Sequence, residues 1–357
     1  MTFILLNCTN IYNRVLIEKI VLYNNSEMLE YWAHPPVDII IKVHVFNYTN
    51  IFQVLNGTEK KIKLDEVGPY VYREHIEKTQ LVFEDNKITF NENRSHIFLP
   101  ELSGNFREDD VVIVPNLPLV SGIPNVKSLG FFAEIGFKTI LAATKPREFH
   151  NLTISKYFMG YNDDFMNVIS KIKWDFNPND VGILAPRRGM TKKNITVFSG
   201  TTDVNTVGET FALGGKTMLD VWKTKDCNKV GGSDGVIYGP KSVQNKENLQ
   251  VYLPEFCRSL PLVFNKEERT EEGYRAYRYI APQGSFSTSK PHLENEFYCE
   301  LKNTKEKQID GVLDVSGCID GTPPIFISHP HFMEGSEELF SNFEDFQSLY
   351  MEYQGCN

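Results

Sequence analysis

Short segments rich in valine, isoleucine and aromatic residues dominate the first 115 residues and limit the folds available to the chain. Such residues favour strands, because branched and aromatic side chains pack well on a pleated surface. Turn-forming residues separate the segments, for example at Gly68-Pro69 and Glu84-Asp85-Asn86. Short strands at this spacing are typical of an antiparallel sheet or barrel. The predicted strands are Val37–Tyr48, Lys61–Leu64, Tyr70–His75, Leu81–Phe83, Lys87–Phe90 and Val111–Val114.

The apolar pattern changes to helical spacing after about residue 118. It predicts helices from Leu129 to Thr144 and from Ser155 to Ile172, and a further helix at Asn13–Tyr23. We therefore expect a mixed, β-dominated fold with a helical insertion at about residues 118–175. Strand-like segments return at Thr196–Ser199, Val251–Leu253, Tyr274–Ile280 and Pro324–Ser328.

Seven Asn-x-Ser/Thr sequences indicate a chain that passes through the secretory pathway, where glycans attach to exposed loops and turns. No run of roughly 18 apolar residues is present to span a membrane, and no signal peptide is visible. We therefore expect a truncated chain or an incomplete gene model. Besides Asn7, which could lie against a membrane, the predicted glycosylation sites are Asn24, Asn47, Asn56, Asn93, Asn151 and Asn194.

Six cysteines agree with an oxidising compartment. Four of them lie within about 90 residues of each other, which predicts two disulfide bonds, with buried free thiols as the alternative. Zinc is disfavoured because no C-x2-C or C-x4-C pair occurs. The four are Cys227, Cys257, Cys299 and Cys318, whereas Cys8 and Cys356 are left unassigned.

Charge and motifs favour a binding protein without a cofactor over an enzyme or a nucleic-acid-binding protein. The chain has 37 basic and 46 acidic residues, a net charge of −9, whereas nucleic acids demand a basic face. It contains no G-x-S-x-G and no H-E-x-x-H. The best phosphate-loop candidate, Gly214–Thr217, has Thr210 where that motif needs glycine. Both Gly231–Gly235 and His329–His331 are predicted to be turns, and a lipid hydrolase is the competing enzyme hypothesis.

Seven short motifs, in their order and spacing, resemble the CD36 family of class B scavenger receptors. The resemblance covers about residues 11–332. The motifs are YWAHPP at Tyr31–Pro36, VFNYTN at Val45–Asn50, EVGPYVYR at Glu66–Arg73, GYND at Gly160–Asp163, CRS at Cys257–Ser259, GVLDVS at Gly311–Ser316 and SHPHF at Ser328–Phe332.

The resemblance implies an antiparallel β-barrel-like core with a hydrophobic tunnel, a helical bundle at the membrane-distal apex and a membrane helix at each end. Residues 1–357 would then form a single, incomplete ectodomain, with residues 118–175 at the apex. Residues 227–318 would form a disulfide-bonded region, and residues 333–357 diverge from the family. The resemblance pairs Cys227 with Cys299 and Cys257 with Cys318.

The resemblance also implies a receptor that binds lipids, lipoproteins or fatty acids and passes lipid along its tunnel. It places anionic ligands on basic apical side chains, for which solvated surface charge is the alternative interpretation. The protein would act at the plasma membrane, or in the lysosome as a lumenal receptor for a hydrolase, or in sensory neurons as a membrane protein that presents hydrophobic odorants. The apical candidates are Lys138, Lys145, Arg147 and Lys156.

Overall fold

The computed structural model describes residues 18–120, 131–170, 181–270, 273–282, 284–288, 300–302, 309–318 and 325–344. The chain divides into two compact units, each assembled from three separate segments. The first unit comprises Met1–Asp38, Ile76–Arg94 and Gly189–Glu306, and the second unit comprises Ile39–His75, Ser95–Arg188 and Lys307–Asn357.

Three antiparallel strand pairs form the sheet structure of the second unit. Strand β1 pairs with the first half of β2, β4 pairs with β5, and β12 pairs with β13. Buried aromatic and branched side chains from these strands and the adjoining helix form its main core, which includes Tyr70, Tyr72, Val112 and Phe158. The strands are β1 Ile39–Tyr48, β2 Leu64–Glu84, β4 Val111–Pro115, β5 Phe149–Thr153, β12 Val312–Asp314 and β13 Phe326–Ser328.

The first unit is also built from antiparallel strands. Strand β3 pairs with β6 and β7, β7 pairs with β8, and β10 pairs with both β9 and β11. Trp32 and Phe90 lie at the centre of its core, with their ring centroids 4.9 Å apart in a T-shaped arrangement. The strands are β3 Lys87–Phe98, β6 Gly189–Met190, β7 Ile195–Phe198, β8 Thr210–Leu213, β9 Leu249–Leu253, β10 Arg258–Arg269 and β11 Arg275–Ile280.

Helices are short and few in the described part of the chain. No helix there is long and apolar enough to cross a membrane. Side-chain caps begin two of them, since Ser26 Oγ accepts from the Leu29 amide and Thr153 Oγ1 accepts from the Lys156 amide. The helices are α1 Glu27–Ala33, α2 Ile51–Leu55, α3 Phe131–Thr144, α4 Ile154–Met159, α5 Asp164–Ser170 and α6 Pro240–Gln244.

The predicted β-dominated antiparallel fold is confirmed, and the helix predicted from Leu129 matches α3. The single helix predicted from Ser155 to Ile172 is wrong, because the chain leaves helical geometry between α4 and α5. Gly160 has a φ of +119° there, which a residue with a side chain rarely adopts. Of the predicted helix at Asn13–Tyr23, residues 18–20 are helical, and residues 13–17 lie outside the described residues.

Three predicted strands, at Lys61–Leu64, Tyr70–His75 and Leu81–Phe83, belong in part or whole to the single long strand β2. The predicted turn at Gly68-Pro69 lies inside that strand. A Cβ on Gly68 would come within 2.7 Å of the Val43 carbonyl oxygen, so glycine permits the close approach of β1. Gly68 and Pro69 therefore mark a close contact between strands β1 and β2 and not a reversal of the chain.

Candidate ligand-binding face

The helical segment of the second unit leaves and rejoins the sheet at one place. Strands β4 and β5 are paired from Val111↔Thr153 to Pro115↔Phe149, so the chain between them departs and returns side by side. Asn116 is fully buried at this junction. Its amide N–H donates to the Glu148 carbonyl at 2.8 Å, and its Nδ2 donates to the Arg147 carbonyl at 2.9 Å. The backbone of Arg147 is therefore fixed.

Helix α3 packs one face inward and exposes the other. Phe137, Ile140 and Leu141 pack against a buried cluster formed by Leu119, Tyr161, Phe165 and Val181. The rings of Phe137 and Phe165 meet edge to face with centroids 5.6 Å apart.

The outer surface of α3 combines apolar and basic side chains. Phe131 and Phe132 are 71% and 87% exposed, and Ile135 is 47% exposed. The exposed ammonium of Lys138, one turn further on, lies 3.8 Å from the Glu134 carboxylate. Adjacent exposed apolar side chains, unlike single ones, are typical of a surface that contacts a partner.

The four predicted basic residues are all exposed in the second unit. Lys138 lies on α3, Lys145 and Arg147 follow that helix, and Lys156 lies on α4. Lys145 ends α3 with a φ of +44°, and its amide still donates to the Leu141 carbonyl. Of these four residues, only Lys138 has an ion pair with another described residue. The role of the four in binding stays a prediction.

Two carboxylates attach α4 to the core of the second unit. The carbonyl groups of Glu108 and Asp110 accept from the amides of Ser155 and Ile154. Their side chains accept from buried tyrosines, Tyr72 to Glu108 at 3.2 Å and Tyr70 to Asp110 at 3.1 Å. Burial, and then the neighbouring carboxylate, raises the pKa of both tyrosines. Both phenols are therefore neutral donors across the physiological range.

A polar cavity of about 270 Å³ lies beside α4. Lys156, a predicted basic site residue, lines this cavity together with Arg188, which was not predicted from the sequence. Both side chains are exposed. The cavity is lined by Ser155, Lys156, Met159, Gly160, Tyr161, Asn162 and Arg188. It is not the apolar tunnel that the resemblance implies, so the tunnel and the apical position of the helices stay predictions.

The predicted glycosylation sites in the described residues are accessible to different degrees. Asn24, Asn56, Asn93 and Asn151 are exposed, whereas Asn47 and Asn194 are half-buried. Asn47 Oδ1 accepts from the Ile113 amide at 2.8 Å. Asn7 lies outside the described residues. Glycan occupancy of all these sites stays a prediction.

The cysteines are described only in part. Cys227 is disulfide-bonded, and Cys299 lies outside the described residues, so their predicted pairing stays a prediction. Cys257 is a buried thiol, and its predicted bridge to Cys318 also stays a prediction. Cys8 and Cys356 lie outside the described residues.

The histidines of the predicted turn face carboxylates of the second unit. His331 Nε2 lies 3.1 Å from Glu66 Oε2, and His44 Nδ1 lies 3.3 Å from the other oxygen of Glu66. His329 Nε2 lies 3.8 Å from Glu334. Within the described residues, no group of three or more histidine, cysteine, aspartate or glutamate side chains is arranged to hold a metal ion.

Comparison with known proteins agrees with the motif-based resemblance. The chain is 30% identical to mouse scavenger receptor class B member 1 over 311 residues, which cover 86% of this chain and 59% of the mouse protein. It is also 30% identical to rat lysosome membrane protein 2 over 328 residues, which cover 91% of this chain and 66% of the rat protein. The chain thus spans about three fifths of the length of these curated relatives.

The sequence model of the CD36 family matches residues 1–353. The match includes segments of both compact units and extends beyond Phe332, where the quoted motifs end. The chain belongs to the CD36 family.

Proposed function

We propose that this chain is the extracellular part of a plasma-membrane scavenger receptor that binds lipids, lipoproteins or fatty acids. The outer surface of α3 carries the proposal, because Phe131, Phe132 and Ile135 are exposed there beside Lys138. Apolar side chains gain roughly 25 cal/mol for each Å² of apolar surface that a ligand covers. Cations attract an anionic ligand over about one Debye length, 8 to 10 Å at ordinary salt.

The two contributions suit the surface of a lipid particle with anionic head groups. Lys145, Arg147 and Lys156 supply further exposed charge on the chain that follows α3. Lipid bound there would be taken up or passed through an internal tunnel. The proposed activity is binding and transfer of lipid and not catalysis. In this proposal the full-length protein is anchored in the membrane.

A lumenal receptor for a lysosomal hydrolase is the second candidate. Rat lysosome membrane protein 2 matches this chain at the same identity as the mouse scavenger receptor, which favours this candidate as strongly. Imaging of the tagged full-length protein distinguishes the two. Accumulation in lysosomes, without a surface pool, would replace the plasma-membrane proposal.

The test of the proposed binding face separates charge from apolar contact. Lys138, Lys145, Arg147 and Lys156 are replaced together by glutamate, and binding to vesicles with an anionic lipid is measured at low and high salt. We expect a large loss at low salt and a smaller loss at high salt, because exposed charges are screened. Replacing Phe131 and Phe132 by serine should weaken binding with little dependence on salt.

The matched control replaces four exposed basic residues elsewhere in the same unit by glutamate. It should leave vesicle binding close to that of the parent, apart from the general effect of net charge. If the variant of the binding face bound anionic vesicles as well as the parent at low salt, the helical segment would not be their site. The control positions are Lys42, Lys60, Lys61 and Arg107.

A further inference from the structure

We propose that the cavity beside α4 is a binding site for a single phosphate group, held by Lys156 and Arg188. The inference rests on the proposed function in one respect, because the phosphate would be a lipid head group only if the chain binds lipids. It depends on Arg188, however, which the proposed binding face does not use.

Backbone contacts fix the shape of the cavity. Helix α4 ends at Met159, and the residues that follow it run beside residues 181–184. The Tyr161 amide donates to the Val181 carbonyl at 3.1 Å, and the Leu184 amide donates to the Phe158 carbonyl at 2.9 Å. A Cβ on Gly182 would lie 2.6 Å from the Gly160 nitrogen, so the two segments are in close contact. The lining is therefore formed before any ligand arrives.

No described acidic residue neutralises the two cations of the cavity. None of the residues that line it is acidic. Neither Lys156 nor Arg188 has an ion pair with a described residue, and the nearby Asp163 carboxylate faces His150 at 3.1 Å. Two cations that converge on one cavity repel each other unless an anion lies between them. The cavity therefore presents two positive groups whose charge an anion would offset.

The neighbouring residue Arg187 shows the opposite arrangement. Its guanidinium donates to both oxygens of the buried Glu74 carboxylate, at 3.1 and 3.3 Å. Arg187 is thus committed to a structural ion pair. Its neighbour Arg188 is exposed at the cavity, where its fork of N–H donors remains available.

The size and donors of the cavity select the ligand class. Its volume of about 270 Å³ lies just below the roughly 300 to 1,000 Å³ that encloses a drug-sized molecule, so it fits a head group and not a whole lipid. Arginine and lysine together offer more donors than one carboxylate can accept. Asn162 Oδ1 already accepts from Asn167, which leaves the Asn162 amide nitrogen as a further donor. A tetrahedral phosphate fits this set better than a carboxylate does.

The experiment measures calorimetric binding of three probes to the secreted chain: inorganic phosphate, dioctanoyl phosphatidic acid and dioctanoylglycerol. We expect both phosphate-bearing probes to bind, and Arg188→Gln to weaken each of them by about tenfold, the loss of a hydrogen bond to a charged group. Lys156→Gln should act in the same direction. The control Arg107→Gln removes an exposed arginine of the same unit outside the cavity and should leave binding unchanged.

The probes also distinguish the sources of the phosphate. Binding of phosphatidic acid but not of inorganic phosphate, still weakened by Arg188→Gln, would support a lipid head group as the ligand. Unchanged affinity in both Arg188→Gln and Lys156→Gln, or equal affinity for dioctanoylglycerol, would overturn the proposal. Charge reversal at Lys138, Lys145 and Arg147, which leaves the cavity intact, should weaken particle binding at low salt and leave the affinity for phosphatidic acid unchanged. The two proposals can therefore fail separately.

Discussion

The buried ion pair between Lys78 and Asp234 allows a sharp test of the packing of the first unit. The Lys78 side chain is fully buried and that of Asp234 is 3% exposed, with Nζ and Oδ2 3.5 Å apart. Asp234 Oδ2 also accepts from Trp32 Nε1 at 2.6 Å, and Oδ1 accepts from the Val236 amide at 3.1 Å. Lys78 Nζ has no hydrogen-bond partner among the described residues and lies over the rings of Trp32 and Phe90.

This asymmetry predicts unequal costs for removing either partner. Asp234→Asn removes the negative charge that faces the buried ammonium, so we expect a loss of about 3 to 5 kcal/mol in the free energy of unfolding. Lys78→Met fills the same space, and the remaining carboxylate keeps two donors. Its cost should therefore be smaller, about 1 to 3 kcal/mol. The double variant should lose less than the sum of the two.

Urea unfolding of the secreted chain, followed by tryptophan fluorescence, measures these differences, since Trp32 contacts the pair directly. The control is Asp220→Asn, which breaks the exposed pair between Asp220 and Lys302 in the same unit and should cost at most about 1 kcal/mol. Equal losses for Asp234→Asn and Asp220→Asn would show that burial does not control the cost. A larger loss for Lys78→Met than for Asp234→Asn would refute the asymmetry.

Two further predictions concern the covalent state of the secreted protein. Glycosidase treatment should lower the apparent mass of the chain on a gel by that of several glycans, because four of the predicted sites are exposed. An unchanged mobility would remove the argument for the secretory pathway. Non-reducing peptide mapping should recover Cys227 linked to Cys299 and Cys257 linked to Cys318, whereas recovery of either pair as thiols from secreted material would contradict the family-based pairing.

Local residue preference predicted many of the strands but not their lengths. Segments rich in valine and isoleucine, such as β1 and β4, were found because their side chains pack on one core. Strand β10 was missed, since its second half, Asn265–Arg269, is polar and charged. Cross-strand ion pairs stabilise it instead, including one between Glu267 and Arg275 at 2.9 Å. Which residues form such pairs depends on the register between β10 and β11, and a single sequence does not reveal that register.

The candidate binding residues could be predicted from the sequence only where a basic residue lies in a predicted helical segment or close to one. Lys138 and Lys156 were selected because the family resemblance places an exposed helical bundle in this part of the chain. Arg188 was missed, although the basic pair Arg187-Arg188 was a visible signal. Which of the two is free to bind depends on Glu74, a residue far away in the sequence that neutralises Arg187. The same holds for Lys78, whose partner Asp234 lies in a glycine-rich turn.

The attachment of α4 explains how a short helix can hold a binding residue firmly. A helix of this length is unstable alone, because its nucleation cost is repaid by too few hydrogen bonds. Here Glu108 and Asp110 accept from its first amides with their carbonyl groups and from buried tyrosines with their side chains. The position of Lys156 is therefore determined by the β-core beneath it. The backbone of such a support is ordered before binding, so the affinity depends on the charge of the ligand and on the cost of ordering the exposed Lys156 side chain.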